Sequence, residues 1–298
     1  MALVSGRRAK ARRRRPRASR GTWDGYASLN AGFGTRAAAA LGDLAEGCRR
    51  WRSWTYLAVE SIKNQYRRTV IGPWWLTIQT AAYVAGLAAL FGAIFHESLR
   101  EFVPYVAVGF IGFALLSGLT RAGADIFVNH ASVLKSTRQP LSVMVFQAVT
   151  IEILQFLHNL LIVVAFVAIG LVPLSWDLLL VLPGVLAIIV NGVALGLWLG
   201  PTVARFRDVG PFVTSILQVM VFFTPIFWRV DSLEKDSRAL LVAWNPFAYL
   251  LGIFRDPLLG GPLVAATYIG AAVITALNVL LAAVIFSRHR SRLPYWVA

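Results

Sequence analysis

PWWLTIQTAAYVAGLAALFGAIF, residues 73–95, carries no charged side chain. A hydrocarbon core about 30 Å thick requires roughly 20 apolar residues in helical form, so this stretch predicts a transmembrane helix. The same criterion predicts further spans along the chain. Together the predicted spans are residues 73–95, 102–120, 141–171, 178–200, 212–228 and 262–286. The chain is therefore expected to be an all-α polytopic membrane protein, with six transmembrane helices within residues 69–287.

The composition also favours a membrane protein, and it gives that protein a basic N-terminus. Hydrophobic residues make up 57% of the 298 residues and charged residues only 14%, whereas soluble domains carry roughly 25% charged residues. The net charge is +15, and the run RRRRPR at residues 12–17 contributes to it. We expect residues 1–40 to be a disordered cytoplasmic arm that contacts anionic membrane lipid. The sequence shows no pattern of a nucleic-acid-binding fold to accompany this arm, so a nucleic-acid partner is not expected.

An amphipathic helix is predicted ahead of the first span, in residues 41–68. Polar residues, Asp43 among them, lie opposite an apolar stripe at helical spacing. Such a helix is expected to lie in the membrane surface. The stripe consists of Leu41, Leu44, Cys48, Trp51, Ala58 and Ile62.

The distribution of basic residues predicts the orientation of the chain. Cytoplasmic loops of membrane proteins carry an excess of Lys and Arg, so the arginine-rich N-terminus and the basic tail 288–298 are both expected in the cytoplasm. The segment 230–261 then lies on the outer side. Its apolar part, 240–254, is too short to cross the membrane and is broken by Asn245-Pro246, which favours short re-entrant helices between spans five and six. A seventh span is the alternative interpretation.

The sequence lacks the patterns that common catalytic sites need. A phosphate-binding loop requires Gly-Lys, and no lysine follows a glycine, so the chain is not expected to hydrolyse ATP by that route. The histidines show no metal-ligand spacing. The third predicted span contains a polar stripe of Glu152, Gln155 and Asn159, which indicates helix packing or, alternatively, a role in translocation. We therefore predict a protein that is not an enzyme and has neither a metal nor a cofactor of its own.

Aromatic side chains are the most prominent candidate binding groups of the spans. Aromatic faces stack on sugar rings, and the contact is weakly directional enough for a polymer to slide along it. The same residue types also form interfacial belts in membrane proteins. The candidates for a channel lining are Trp74, Trp75, Tyr83, Phe222, Phe223, Trp228, Trp244 and Tyr249.

Four stretches of the sequence together resemble one family, the membrane subunits of ATP-binding-cassette exporters for O-antigen, capsular and teichoic-acid-type polysaccharides. The resemblance extends from about residue 44 to residue 287, with matching order and spacing. The stretches are NQYRRTVIGPWWLTI (64–78), RFRDVGP (205–211), FFTPIFW (222–228) and NPFAYLLGIFRDPLLG (245–260).

The resemblance implies a permease of the bacterial inner membrane that works as a homodimer with two copies of a separate ATPase subunit, which would bind ATP and magnesium. The substrate would be a lipid-linked polysaccharide, commonly carried on polyprenyl diphosphate. Arg67 and Arg68 would then bind the diphosphate head group, because a guanidinium group bonds phosphate oxygens in pairs; ordinary positive-inside anchoring is the alternative. A membrane-embedded enzyme acting on lipid-linked sugars and a permease for drugs or small lipids stay open as other functions.

Coupling to such an ATPase would need a cytoplasmic surface that the partner can push. The best candidate is the loop 123–140, with the helix at 41–62 and the turn at RFRD beside it. Exposed ion pairs contribute little individually, so the charged residues of this turn are equally consistent with a salt-bridged helix end. The predicted coupling residues are Asn129, His130, Lys135, Arg138, Arg205, Arg207 and Asp208.

Overall fold

The computed structural model of the chain describes residues 33–137, 139–230 and 241–297, and these residues form helices and turns without a β-strand. In chain order the α-helices are α1 (Phe33–Arg49), α2 (Trp51–Tyr66), α3 (Trp74–Phe95), α4 (Leu99–Asn129), α5 (Ala131–Ser136), α6 (Leu141–Ala168), α7 (Val181–Arg205), α8 (Val209–Phe223), α9 (Pro246–Leu259), α10 (Ala265–His289) and α11 (Leu293–Trp296). The predicted all-α class is confirmed.

Five helices within the described residues are long and apolar enough to cross a membrane: α3, α4, α6, α10, and α7 together with the short 3₁₀ turn Trp176–Leu180 that precedes it. They correspond to five of the six predicted spans and make the chain a multi-pass membrane protein. We call the end of the bundle that carries residues 129–141, 205–209 and 289–297 the tail end. The end that carries residues 95–99 and 169–180 is the opposite end.

The predicted span 212–228 is less regular than the others. Its helix, α8, has 15 residues and is therefore about 22 Å long, which is short of a full crossing. It ends at Phe223 because Pro225 follows closely and lacks the amide hydrogen that a continuing helix needs. The sixth span consequently stays a prediction for this segment.

The apolar segment 240–254 forms a helix that is too short to cross a bilayer. This helix, α9, has 14 residues and begins with Asn245 as its cap and Pro246 as its first residue, an arrangement that proline favours. Most of α9 is buried, including Leu251 and Phe254, which are fully enclosed. The described part of the segment therefore does not form a seventh span, and re-entry from the outer side remains a prediction.

The centre of the bundle is α4, which packs against α3, α6, α7, α8 and α9. Its approach to α7 is unusually close, because a methyl group added at Gly123 would lie 3.0 Å from the backbone nitrogen of Gly196. Glycines allow helices in membranes to approach this closely. Helix α7 carries glycines at every fourth position in this region, Gly192, Gly196 and Gly200.

The N-terminal helical region differs from the single amphipathic helix that was predicted. The first helix begins at Phe33, within the segment expected to be a disordered arm. The helical path is then interrupted at Arg50, which separates α1 from α2. Residues 1–32 of the predicted arm lie outside the described residues.

The predicted apolar stripe of this region is only partly correct. Ala58 and Ile62 are buried against the bundle, whereas Leu41 and Trp51 are more than half exposed. Asp43, which was assigned to the polar face, is 4% exposed. The prediction was wrong for Asp43, because its polar partners come from distant segments. The exposure of Leu41 and Trp51 is what a stripe facing the membrane surface would also show.

Candidate functional site

The turn between α2 and α3 presents two arginines beside the first transmembrane helix. Arg67 and Arg68 follow the end of α2 directly and are exposed, and neither forms an ion pair with a described residue. The chain then reverses at Gly72, whose φ of 63° is a conformation that glycine adopts at little cost. Burial raises the pKa of the neighbouring Tyr66 hydroxyl, so that group stays neutral and the arginines set the charge of the turn.

The predicted channel aromatics fall into two groups rather than one. Trp74 and Trp75 stand exposed at the tail end of α3, and Tyr83 lies about 13 Å further along that helix. The other group lies at the opposite end: Phe222, Phe223, Trp228, Trp244 and Tyr249. In this group the Trp228 indole nitrogen donates to the Phe222 carbonyl at 3.1 Å, and the Tyr249 hydroxyl donates to the Ala243 carbonyl at 3.3 Å.

Aromatic contacts that the sequence did not single out connect these elements. Phe91 of α3 stacks on Phe227 with ring centroids 5.1 Å apart and an interplanar angle of 9°. Tyr83 stacks on Phe110 of α4 at 5.3 Å. Phe227 lies in FFTPIFW, one of the four stretches that carry the family resemblance. That motif was the sequence signal that could have singled out Phe227. These contacts attach α3 to the bundle through a small number of rings.

Helix α3 touches the bundle along a single narrow stripe. Its buried residues recur every four positions and are Thr80, Val84, Ala88 and Gly92. The face turned away from the bundle carries an exposed glutamine and a set of small residues at spacings of three and four. These uncovered residues are Trp75, Gln79, Ala82, Gly86, Ala89 and Ala93.

Helix α8 is uncovered in a similar way. Ser215 and Gln218 are exposed on it although the helix is otherwise apolar. An exposed polar side chain within a membrane-embedded segment normally faces a protein interior or a water-filled space. Both α3 and α8 therefore present surfaces suited to a partner or to water.

At the opposite end of the bundle, a buried arginine on α9 joins three segments. Arg255 is 7% exposed; it donates to the Tyr105 hydroxyl at 2.9 Å and to the Pro225 carbonyl. Its Nε also pairs with Asp256 at 3.1 Å. The sequence placed this residue after a broken apolar segment, and no local pattern indicated that its partners would come from α4 and from the segment after α8.

Asn245 fastens the start of α9 to the end of α8. Its side-chain oxygen accepts from the Phe247 amide at 2.9 Å, and its amide nitrogen donates to the Phe223 carbonyl at 3.1 Å and to Thr224 at 3.0 Å. Side chains thus satisfy the backbone groups of a non-helical segment, which a membrane environment requires. The stretches FFTPIFW and NPFAYLLGIFRDPLLG consequently form one interlocked unit.

The predicted coupling residues lie at the tail end, some at the junction of α4 and α5 and the others in the turn after α7. The predicted loop 123–140 was wrong for residues 123–129, because these form the last turns of α4 and are largely buried. Asn129 and Lys135 are exposed on either side of His130, whose Nδ1 lies 2.9 Å from the Ile126 carbonyl. The turn after α7 holds Arg205, Arg207 and Asp208, all exposed. Arg138 lies outside the described residues.

Aromatic residues of the C-terminal segment meet the turn after α7. The Arg205 guanidinium lies over the rings of Phe206 at 5.0 Å and Trp296 at 5.5 Å. Helix α11 also contacts both α5 and α7. The predicted basic tail is therefore packed against the bundle in its described part, with Leu293 and Val297 buried.

Asp43 of α1 is the principal functional candidate that sequence reasoning missed. Its carboxylate accepts from the amides of Leu141 at 3.2 Å and Ser142 at 3.0 Å, and from Arg290 at 2.8 Å. The Ser142 hydroxyl donates to the Asp43 carbonyl at 2.8 Å. The partners lie 98, 99 and 247 positions away, so no local pattern could have indicated them.

The polar stripe of α6 faces the bundle. Asn159 is buried, and Glu152 and Gln155 are half-buried. The Glu152 carboxylate lies directly against Gly118 of α4, and Arg121 on the next turn is close enough to attract it. Helix packing, one of the two alternatives for this stripe, accounts for these contacts.

Comparison with known proteins gives consistent results. Residues 52–259 match the family described as ABC-2 type transporter. The chain is 24% identical over 201 residues to an O-antigen export system permease protein RfbA of Myxococcus xanthus, covering 67% of this chain and 77% of that protein. It is 22% identical over 233 residues to the RfbA permease of Klebsiella pneumoniae, covering 74% of this chain and 87% of that protein.

Proposed function

Because the chain belongs to the ABC-2 type transporter family, we propose that this permease subunit exports a lipid-linked polysaccharide across the bacterial inner membrane. The choice of substrate is supported by two relatives whose names describe O-antigen export. The family is one of transporter membrane subunits that work with a partner ATPase. In this proposal two copies of the ATPase bind ATP and magnesium, and this chain contributes no cofactor of its own.

The observation that carries the proposal is the pair of uncovered helices. Small residues at a spacing of four, such as Ala82 and Gly86, allow helices of two protein copies to approach closely in a membrane. Gln79 on the same face and Gln218 on α8 would then border a polar space between the copies. A homodimer built on these faces would enclose a conduit between the two copies.

The turn between α2 and α3 is the proposed entrance. Arg67 and Arg68 supply two exposed positive charges next to Trp74 and Trp75. A polyprenyl diphosphate arriving in the inner leaflet would bind the guanidinium groups, and the first sugars would stack on the indole rings. This assignment requires the tail end to face the cytoplasm, as the positive-inside rule predicts for both termini.

The tail end also offers the proposed contact with the ATPase. Helix α5 and the turn from Arg205 to Asp208 both meet α11, and each carries exposed basic side chains. A subunit that docks there would push on the ends of α4, α6 and α7 together. This arrangement would convert nucleotide-driven movement into a change between the two permease copies.

Transport by the reconstituted complex tests the function. The permease and its ATPase are placed in proteoliposomes, and lipid-linked oligosaccharides are compared for export and for stimulation of ATP hydrolysis. Arg67→Gln and Arg68→Gln should each weaken substrate binding about tenfold, since a hydrogen bond to a charged group contributes about 1.5–3 kcal/mol. Arg100→Gln, an exposed arginine at the opposite end, is the matched control.

Two results would count against this proposal. Normal export by both variants would exclude the head-group role of the arginines. Export or stimulation by apolar drugs, without any effect of lipid-linked glycans, would replace the proposed substrate class.

Cysteine cross-linking tests the dimer. Cys48 is the sole cysteine of the chain, so a Cys48→Ser background has no competing thiol. In that background Ala89→Cys on the uncovered face of α3 should form cross-linked dimers in membranes. Val273→Cys, which is exposed on α10, should remain monomeric, and equal cross-linking at the two positions would contradict the proposed interface.

A further inference from the structure

We propose that Asp43 and Arg290 form a clasp that transmits movement from α5, the helix proposed to contact the ATPase, to the rest of the bundle. The clasp joins three elements that are far apart in the sequence: α1, the start of α6, and the end of α10. It makes Asp43 a positioning residue for transport rather than a residue that touches the substrate. The inference rests on the proposed function only in requiring an ATPase that acts on the tail end.

The geometry of Asp43 is that of a helix cap supplied from a distance. Helix α6 starts with Leu141 after Pro140, and Pro140 makes no side-chain cap hydrogen bond. The free amides of Leu141 and Ser142 are bonded by the two carboxylate oxygens of Asp43, one oxygen to each amide. A negative charge at a helix N-terminus is favourable because the unpaired amides carry partial positive charge.

Arg290 completes the charge balance at this point. Its Nε donates to the same carboxylate oxygen that caps Leu141. A carboxylate that is 4% exposed needs such partners, because burying an unpaired charge is strongly unfavourable. Without Arg290, the capping carboxylate of α1 would lose the ion pair that balances its charge.

The packing around the clasp is tight enough to transmit a displacement. A methyl group added at Gly47, one turn after Asp43, would overlap the side chain of Ser142, and it would also lie 3.0 Å from Phe146. Trp54 of α2 packs on the Phe146 ring at 5.7 Å. The first turns of α6 are therefore enclosed by α1 and α2.

The position of the clasp relative to α5 gives it a role in transport. Helix α5 ends at Ser136, and α6 begins at Leu141, so only a few residues separate the proposed ATPase contact from the capped turn. A push on α5 reaches α6 at the two amides that Asp43 holds. Because Asp43 is also tied to Arg290, the same push moves α1 and the end of α10 together.

The test compares export with ATP consumption in the same complex. Arg290→Gln is the primary variant, because it removes the ion pair, leaves the two amide hydrogen bonds of the cap in place and keeps a side-chain amide that can donate to the buried carboxylate. Size-exclusion chromatography of the purified complex checks that the variant folds and assembles. We expect ATP hydrolysis by the complex to persist while export per ATP falls roughly fivefold or more, the lower end of typical coupling between sites. Arg290→Lys should restore most of the export because it keeps the charge. Arg288→Gln, which makes the same charge change on an exposed neighbour, is the matched control.

A second readout separates the clasp from the identity of the substrate. Cys48 is exposed and lies on α1 with Asp43, so an environment-sensitive fluorophore on this thiol reports the movement of α1. In the wild-type complex ATP should change the fluorescence, and Arg290→Gln should abolish that change. If the wild-type complex exports no lipid-linked glycan, the proposed function fails, but this fluorescence comparison still decides on the clasp.

The clasp would be overturned by any of three results. Parallel loss of ATP hydrolysis and export in Arg290→Gln would indicate a role in assembly alone. Unchanged export per ATP in that variant would show that the ion pair is not needed for transmission. The proposed movement of α1 would be excluded if ATP did not change the fluorescence of the wild type. It would also be excluded if ATP still changed the fluorescence of Arg290→Gln.

Discussion

Helices α3 and α4 are consecutive, long and apolar, yet their surroundings differ in kind. Residues of α4 are buried along most of its length and on all sides, whereas those of α3 are buried only in one stripe of four residues. An apolar helix in a membrane can face lipid or protein with little change in hydrophobic free energy. The difference between these helices therefore comes from the shape of their surfaces.

Glycines explain why α4 can be enclosed. Four of them face four different neighbours. Gly109 faces the segment 224–228, Gly112 faces α9, Gly118 faces α6, and Gly123 faces α7. At the last three of these glycines a side chain would hold the neighbour away, whereas a methyl group at Gly109 would lie 3.4 Å from Ile226, in ordinary contact. On α3, by contrast, a methyl group added at Gly86 would meet nothing within 4 Å, so that glycine remains available for contacts with another molecule.

The largest expected effect concerns the buried arginine that ties α9 to α4. Arg255→Leu removes the hydrogen bonds to the Tyr105 hydroxyl and the Pro225 carbonyl, and it removes the ion pair with Asp256. Breaking a buried pair by removing one partner typically costs about 3–5 kcal/mol. We expect a correspondingly lower thermal stability of the purified protein in detergent. Arg100→Leu, on the exposed start of α4, should leave the stability within about 0.5 kcal/mol of the wild type.

A pair of matched substitutions tests the contrast directly. Gly123→Leu should destabilise the fold by at least about 1–3 kcal/mol, since its side chain would overlap the backbone of α7. Gly86→Leu makes the same chemical change on α3 and should leave the monomer folded while weakening the dimer. Thermal unfolding and size-exclusion chromatography measure the two properties separately. Equal destabilisation by both changes would remove the distinction between an enclosed helix and an uncovered one.

The smallest expected effect lies where the two helices share an aromatic contact. Tyr83 is 59% exposed and stacks on Phe110. Aromatic pairs of this kind contribute about 0.5–1.5 kcal/mol beyond burial. In a double-mutant cycle of Tyr83→Leu and Phe110→Leu, the interaction free energy should fall in that range. A value near zero would mean that α3 is held by its buried stripe alone.

The sequence predicted the long helices well because the length of an apolar run is a local property. Each of five predicted spans corresponds to one long helix, although α4 continues nine residues beyond the predicted end at Thr120. The sixth span stays a prediction, since its helix ends at Phe223, two residues before Pro225. The broken character of the segment that contains α9 was also predicted correctly.

The polar contacts could not be predicted, because they join residues that are distant in the sequence. Arg255 bonds Tyr105 across 150 positions, and Arg290 bonds Asp43 across 247. Amphipathic periodicity assigned Asp43 to a solvent-facing surface, since periodicity cannot detect a partner supplied by another helix. The exposed candidates Arg67, Arg68, Trp74 and Trp75 were easier to identify, and their functional roles remain predictions.

The length of α4 has a mechanical consequence. With 31 residues it measures about 46 Å, well beyond the thickness of the hydrocarbon layer, and it is continuous from the Arg255 network to the residue before α5. A tilt of about five degrees about one end would displace the other end by about 4 Å over that length. The helix is therefore long enough to serve as a lever arm: a slight rotation at the tail end would produce a displacement wide enough to part side chains at the opposite end.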